Sequence, residues 1–430
     1  LRPGGKTANG VTRMTEISAQ GAASMRFREK FLLVVAALLA LLLAMAIGRQ
    51  MLVETGYTNS YAALADAFLH GRLDVDKCFD GDCASFNGKN YVVFPPVPAL
   101  VTMPFVAVFG PGFSHFMIIG LAATLASLWL WWRILETMEV RRETAVWLLL
   151  ALAFASPLFY VTLRTDKVWF FAQSINFLLV SAALHEVMRG MSLVRAGLFI
   201  GAAFLCRQMS ILLVPFLFAL SLKPEEQLIS FGKAHIVRAL KLGLPVAAAV
   251  AVYLTYNWVR FGDPMETGYI YIASPDAETW SLINHRLTHI GLFSKDYFLF
   301  NALYLFVQGF HVQWGGPDLL DMVGLDPMGT SIIAASPFVL LAFFAPARRP
   351  VIIGALCALL IAGVTLFYHG NGYSQYNTQR FTLDWMPVMM FALALAVKEP
   401  IRPVFGLLAT YAIALNVAAV AILAISPSGS

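Results

Sequence analysis

What most constrains this chain is the recurrence of apolar runs long enough to cross a bilayer. A helix needs about 20 apolar residues to span the hydrocarbon core, and such runs occupy 31–48, 113–132, 144–163, 168–188, 242–259, 328–346, 351–368, 381–397 and 403–425. A further apolar stretch, 194–222, is interrupted by Arg207. Read as a hairpin of two short helices, 194–206 and 208–222, it keeps the charges of the later loops on consistent sides. The expectation is an all-α polytopic membrane protein with about eleven transmembrane helices. At 59% hydrophobic and 13% charged residues, the chain has more apolar surface than one water-soluble core needs.

Charge sets the orientation. Residues 94–110 are also apolar but carry Pro95, Pro96, Pro98 and Pro104, so they are read as lying in the interface; a crossing there would reverse every later loop. With the amino terminus inside, the inner segments then hold Arg133, Arg141 and Arg142, Lys223, Lys233, Arg238 and Lys241, and Arg348 and Arg349, as the positive-inside rule requires. This gives a basic cytoplasmic tail (1–30), a retained anchor at the start of a transmembrane domain (31–425), and a short tail (426–430). Extracytoplasmic loops fall at 49–112, 260–327 and 369–380, with a small one at 164–167. The expected location is the inner (cytoplasmic) membrane, with the lipid bilayer as surroundings and the active face outside. The net charge of +5 is distributed as a topology signal, which excludes nucleic acid as the partner. No Cys/His metal array, dinucleotide-binding glycine loop or P-loop occurs.

The greater part of the carboxylates lies on the outer side, and the first outer loop is where chemistry is expected. It carries Glu54, Asp66, Asp74, Asp76, Asp80 and Asp82. Tyr61, Leu64, Ala65, Phe68 and Leu69 recur at helical spacing, predicting a short helix over 59–70 on the membrane surface, ended near Gly71. Asp74-Val-Asp76 and Asp80-Gly-Asp82 are D-x-D patterns that can hold a divalent cation such as Mg²⁺ or Mn²⁺, or position a proton acceptor. Asp80 and Asp82 read equally well as a polar turn closed by Cys78 and Cys83. Those two cysteines are expected to form a disulfide in an oxidising compartment, whereas Cys206 and Cys357 sit in apolar runs as small core residues.

The order of motifs resembles the GT-C superfamily of polytopic glycosyltransferases, which includes aminoarabinose transferases and protein O-mannosyltransferases. The residues that carry the resemblance are the acidic first loop with Tyr61–Gly71, Asn87-Gly-Lys before Pro95-Pro96, Phe109-Gly110, Ser156–Asp166 (SPLFYVTLRTD), Gly201–Arg207 (GAAFLCR) and Gln379–Pro387 (QRFTLDWMP). The resemblance implies a polyprenyl-phosphate-linked sugar as donor, a hydroxyl of a glycan, lipid or protein as acceptor, a catalytic carboxylate just after the first span, and a second acid at Asp166. The position of the first acid holds Tyr57 to Asn59 here, with Glu54 nearest, and Val93-Phe94 replaces an acid-lysine pair before the prolines. The base is therefore open among Glu54, Asp66 and the D-x-D acids.

Ordinary chemistry defines what such an enzyme must supply. A carboxylate deprotonates the acceptor hydroxyl, and cations stabilise the departing phosphate. The outer cations near span ends are Arg164, Lys167, Arg207 and Arg380, and arginine can grip phosphate at two points; Arg207 can also be read as a snorkelling side chain. Tyr61, Glu266, Tyr269 and Gln379 are candidates for sugar contacts, although aromatic residues at this depth also serve as interfacial anchors. Two further functions share the hydropathy pattern: a transporter or lipid flippase, and a ligase or polymerase of lipid-linked glycans. The absence of an internal repeat and the concentration of acids in loops speak against transport.

Overall fold

The computed structural model describes residues 30–42, 44–46, 48–49, 51–52, 54, 59–79, 82–272, 282–372 and 375–425. The chain divides into a unit ending at Gln50 and a unit from Met51 to Ser430. The first contains the apolar helix α1 (Lys30–Ala46). Everything below concerns the second.

Five of its helices are long and apolar enough to cross a membrane: α4 (Phe116–Thr137), α7 (Val168–Met188), α10 (Lys233–Phe261), α14 (Arg349–Phe367) and α16 (Ile401–Ile425). The pair α5 (Arg142–Phe154) and α6 (Pro157–Leu163), bent by 50°, makes a sixth if taken as one broken crossing. This is a polytopic membrane protein. Ser156 explains the bend: its hydroxyl accepts the Leu158 N–H to cap α6, and Pro157 cannot donate back into α5.

The remaining apolar runs expected to cross are realised as shorter pieces. Residues 194–222 become α8 (Leu193–Phe204), a 3-10 turn (Gln208–Leu213) and α9 (Val214–Ser221), broken at Arg207. Residues 328–346 become α13 (Ile332–Ala335) and a 3-10 stretch (Pro337–Phe344), and 381–397 become a 3-10 turn (Arg380–Asp384) and α15 (Met386–Ala396). Proline follows each of these breaks, at Pro215, Pro337 and Pro387, where it cannot continue a preceding helix but can start the next. Hydropathy reports only that these segments are surrounded by apolar matter.

In the first polar segment, α2 (Ser60–Leu69) starts where Asn59 accepts the Tyr61 N–H and stops before Gly71, whose φ is +68°. Its extent is as expected from the periodicity. Tyr61, Leu64 and Ala65 are fully buried, packed in a core with Phe94, Phe116 and Phe171, so this face of the helix packs against protein. Two short hairpins interrupt the otherwise helical chain. β1 (Cys83–Phe86) pairs with β2 (Lys89–Val92) across Asn87-Gly88, both at positive φ, as a two-residue turn of this hand demands. The second joins β3 (Val312–Gly315) to β4 (Asp321–Leu325). The first hairpin is tied to the end of α10, where Arg260 Nη1 donates to the Val92 carbonyl at 2.8 Å and Phe261 packs edge-on against Phe86 and Tyr91. After β2, α3 (Val97–Phe109) is a 13-residue helix, shorter than a bilayer crossing.

Helices approach closely where glycine allows it. An added Cβ on Gly197 of α8 would lie 2.5 Å from the Leu242 carbonyl of α10, while on neighbouring Gly243 it would meet nothing within 4 Å. Gly197→Ala is therefore expected to destabilise the protein by about 1–3 kcal/mol through overpacking, and Gly243→Ala to leave it unchanged or slightly more stable. Thermal unfolding of the two variants in detergent checks this; equal midpoints would dismiss the close contact.

Candidate functional site

Two sets of ionisable side chains stand out. The first is a pair of carboxylates, Glu54 and Asp166. Glu54 Oε1 accepts the Phe116 N–H at 2.9 Å, at the start of α4 where backbone donors lack intrahelical acceptors. Its Oε2 is buried and meets no hydrogen-bond partner among the described residues. Burial, reinforced by the charge of Asp166, pushes Glu54 up to about 7 against the opposing pull of the Phe116 and Met117 N–H groups. Asp166 is itself buried and accepts from Arg164 Nε at 3.2 Å, and Arg164 Nη1 donates to the Tyr160 hydroxyl at 3.3 Å. The Asn59 amide that opens α2 donates to the Asp166 carbonyl at 3.3 Å, so the cap of one helix also holds the loop before another.

The second set lines a cavity of about 520 Å³. Apolar residues of α8, α10 and α14 form much of its wall, including Phe204, Val250, Leu254 and Val364, with Trp169 and Ala172 from α7. Its polar lining includes Asp82, Arg207, Arg380, Asp384, Tyr269, Tyr368 and His369. Arg207 and Asp384 form a two-point ion pair, Nε to Oδ1 at 2.7 Å and Nη2 to Oδ2 at 2.6 Å. Each comes from a break between helical pieces, which frees the side chain to turn inward.

Arg380 is held differently. It is 6% exposed, its Nη1 donates to Gln173 Oε1 and its Nε to the Gly372 carbonyl, both at 3.3 Å. The Gln173 amide returns a bond to the Arg380 carbonyl at 3.0 Å. The guanidinium lies over Phe381 at 4.9 Å and Phe170 at 5.1 Å, and Arg207 lies over the same Phe381 ring at 5.2 Å. Among the described residues no carboxylate comes within ion-pair distance of Arg380. Asp384 and Asp82 favour its charge from beyond ion-pair distance, and a buried cation with no direct ion pair is costly unless an anion joins it.

The other sequence-derived candidates disperse. Tyr269 lines the cavity, but Tyr61 is fully buried among Phe94 and Phe171. Glu266 Oε1 accepts the Gly268 N–H within its own turn, and the Gln379 amide donates to the Met328 carbonyl. Lys167 occupies the position before α7. Asp66 faces His70 one turn along α2, away from the cavity lining. Of the D-x-D acids, Asp74 pairs with Lys89 at 3.1 Å and shares Arg72 with Asp76, at 3.9 and 2.8 Å respectively, Asp82 lies on the cavity wall, and Asp80 is outside the described residues. Lys89 holds Asp74, and Arg72 holds Asp76, below the usual carboxylate range. Among the described residues no group of three or more His, Cys, Asp or Glu is placed to hold a metal ion. Cys78 and Cys83 are joined by a disulfide, and Cys206 and Cys357 are buried free thiols. The residues that sequence reasoning missed are Asp384, Gln173, Tyr368 and His369. Asp384 had a usable signal, a carboxylate inside an apolar run, which in a membrane protein marks function or a charged partner.

This architecture is an ArnT-like fold. The chain superposes on crystal structures of ArnT from Cupriavidus metallidurans. In the apo state the TM-score is 0.50 at 15% identity, covering 89% of this chain and 64% of that one. In the structure bound to undecaprenyl phosphate it is 0.50 at 16% identity, covering 88% and 64%. The chain thus spans less than two thirds of the length of the ArnT chains it matches. No family model and no curated protein matches the sequence.

Asp384→Ala would leave Arg207 as an uncompensated buried charge and is expected to cost about 3–5 kcal/mol. Arg207→Met combined with Asp384→Leu should cost less than the sum of the single changes. Unfolding midpoints of the three variants in detergent test this, and additive losses would mean that the pair is not coupled. Gly372 sits at φ +88°, and an added Cβ would meet Gln375 Oε1 at 2.8 Å and Arg380 Cγ at 3.2 Å.

Proposed function

We propose that the protein is an integral-membrane transferase of GT-C type that moves a sugar from a polyprenyl-phosphate donor to an acceptor hydroxyl on the extracytoplasmic face of the inner membrane. The observation that carries this reading is the buried Arg380 guanidinium, with no ion-paired acid among the described residues, on the wall of a largely apolar cavity. A lipid-linked phosphate supplies both of the missing elements: an anion for Arg380 and a hydrocarbon chain for the walls contributed by α10 and α14. That ArnT, bound to undecaprenyl phosphate, has the same fold supports the choice of lipid.

In the reaction the acceptor oxygen attacks the anomeric carbon as a carboxylate takes its proton. The bond from that carbon to the phosphate oxygen breaks, and the phosphate leaves with the electron pair. Arg380 faces the developing charge, with Arg207 neutralised by Asp384 behind the same Phe381 ring. Glu54 is the base supported by its order in the chain, its unpartnered Oε2 and its raised proton affinity, which suits proton transfer near neutral pH. Asp166 and Arg164 then position the loop beside it. Asp82 is the second reading, favoured by its place on the cavity wall.

Purified protein given undecaprenyl-phosphate-linked sugars should release undecaprenyl phosphate in the presence of acceptor; vesicle uptake without a glycosyl product would overturn the proposal. Glu54→Gln is expected to lower turnover by roughly 10²–10⁴-fold. A base must be deprotonated to act, so kcat/KM should rise with pH through a midpoint near 7, the value to which burial raises Glu54. A larger loss for Asp82→Asn than for Glu54→Gln would transfer the role to Asp82. Gly372→Ala, by moving Arg380, should raise KM for the donor; an unaltered KM would separate Arg380 from donor binding.

A further inference from the structure

We infer that His369 binds the transferred sugar by hydrogen-bonding its hydroxyl groups, a role that rests on the donor reading of the cavity given above. His369 is 3% exposed and lies on the cavity wall, yet neither Nδ1 nor Nε2 has a hydrogen-bond partner among the described residues. Buried polar groups are ordinarily satisfied, so a cavity-lining residue whose two imidazole nitrogens are both unmet calls for a ligand.

The ring is fixed in that orientation by its surroundings. Its backbone N–H donates to the Leu292 carbonyl at 3.0 Å and its own carbonyl accepts from Arg286 Nη1 at 2.6 Å. Edge-on contacts with Tyr368 at 4.3 Å and Tyr269 at 5.8 Å hold it from two sides. Burial, with the Arg286 guanidinium adding, pulls the imidazole down to about 4, so it is neutral at physiological pH. A neutral imidazole offers one N–H donor and one bare nitrogen acceptor. That pair matches a hydroxyl group, which both donates and accepts, and is a poor match for a phosphate, which only accepts.

The short loop that carries His369 also anchors the phosphate-binding cation: three residues on, the Gly372 carbonyl takes the Arg380 Nε hydrogen. In a polyprenyl-phosphate sugar the first ring is bonded directly to the phosphate. A donor whose phosphate meets Arg380 therefore brings its sugar hydroxyls to the same cavity, which is why the donor sugar, and not the acceptor, is assigned to His369.

The test uses the full chain in phosphatidylethanolamine/phosphatidylglycerol nanodiscs, with binding read by tryptophan fluorescence. The probes are undecaprenyl phosphate alone and the same lipid carrying a pentose or a hexose. Wild type should bind at least one sugar-linked lipid more tightly than the bare phosphate. His369→Ala should weaken binding of that lipid by about tenfold, the worth of one well-made hydrogen bond, while leaving the bare lipid unchanged. His369→Gln, which keeps a donor and an acceptor, should recover most of the loss. Equal weakening of both lipids, or of neither, would overturn the assignment, as would the absence of any gain from the sugar in wild type. Arg380→Ala should abolish binding of the bare lipid phosphate; if wild type fails to bind that lipid at all, the donor reading itself falls, a result distinct from failure at His369.

Discussion

Charge buried in an apolar bundle is the constraint on which the site depends. Taking an arginine and an aspartate out of water costs several kcal/mol each, and the bundle accepts Arg207 and Asp384 because their two-point pairing returns most of that cost. The pairing requires both residues to sit at helix breaks, since a side chain in mid-helix is bound to its helix face. The breaks at 205–207 and 380–385 are therefore the condition for a polar cavity inside a hydrophobic protein. Arg380 is the exception that gives this cavity its character, a cation that amide, carbonyl and aromatic groups hold in place but that no acid among the described residues neutralises.

The first polar segment supports the same cavity from the other end. α2 is capped by Asn59, whose amide also grips the loop carrying Asp166, and its buried face packs Tyr61 against Phe171. The β1–β2 hairpin, turned by Asn87-Gly88, is anchored through Arg260 to α10 and delivers Asp82 to the cavity wall. The disulfide between Cys78 and Cys83 closes the chain immediately before that hairpin. One segment thus provides both a floor for the bundle and an acid for the site.

Glu54 and Asp166 share an environment that makes either charge expensive. Glu54 answers by holding its proton up to about 7, whereas Asp166 is matched by Arg164.

Read along the chain, the residues already determined a good deal. Apolar runs of bilayer length announced a membrane protein, Asn59 and Gly71 bounded α2, and Cys78 and Cys83 suggested their bond. These follow from propensities, caps and hydropathy, which act over a few residues at a time. What the tertiary structure decided is which polar groups meet. The sequence holds nothing to join Arg207 to Asp384 across 177 positions, to set Asp74 and Asp76 against Lys89 and Arg72 while Asp82 turns to the cavity, or to face His369 inward. Nor does hydropathy tell a crossing helix from broken pieces buried beside one, because both are equally apolar. Charge pairing in a low-dielectric interior depends on three-dimensional distance, and only the folded bundle supplies it.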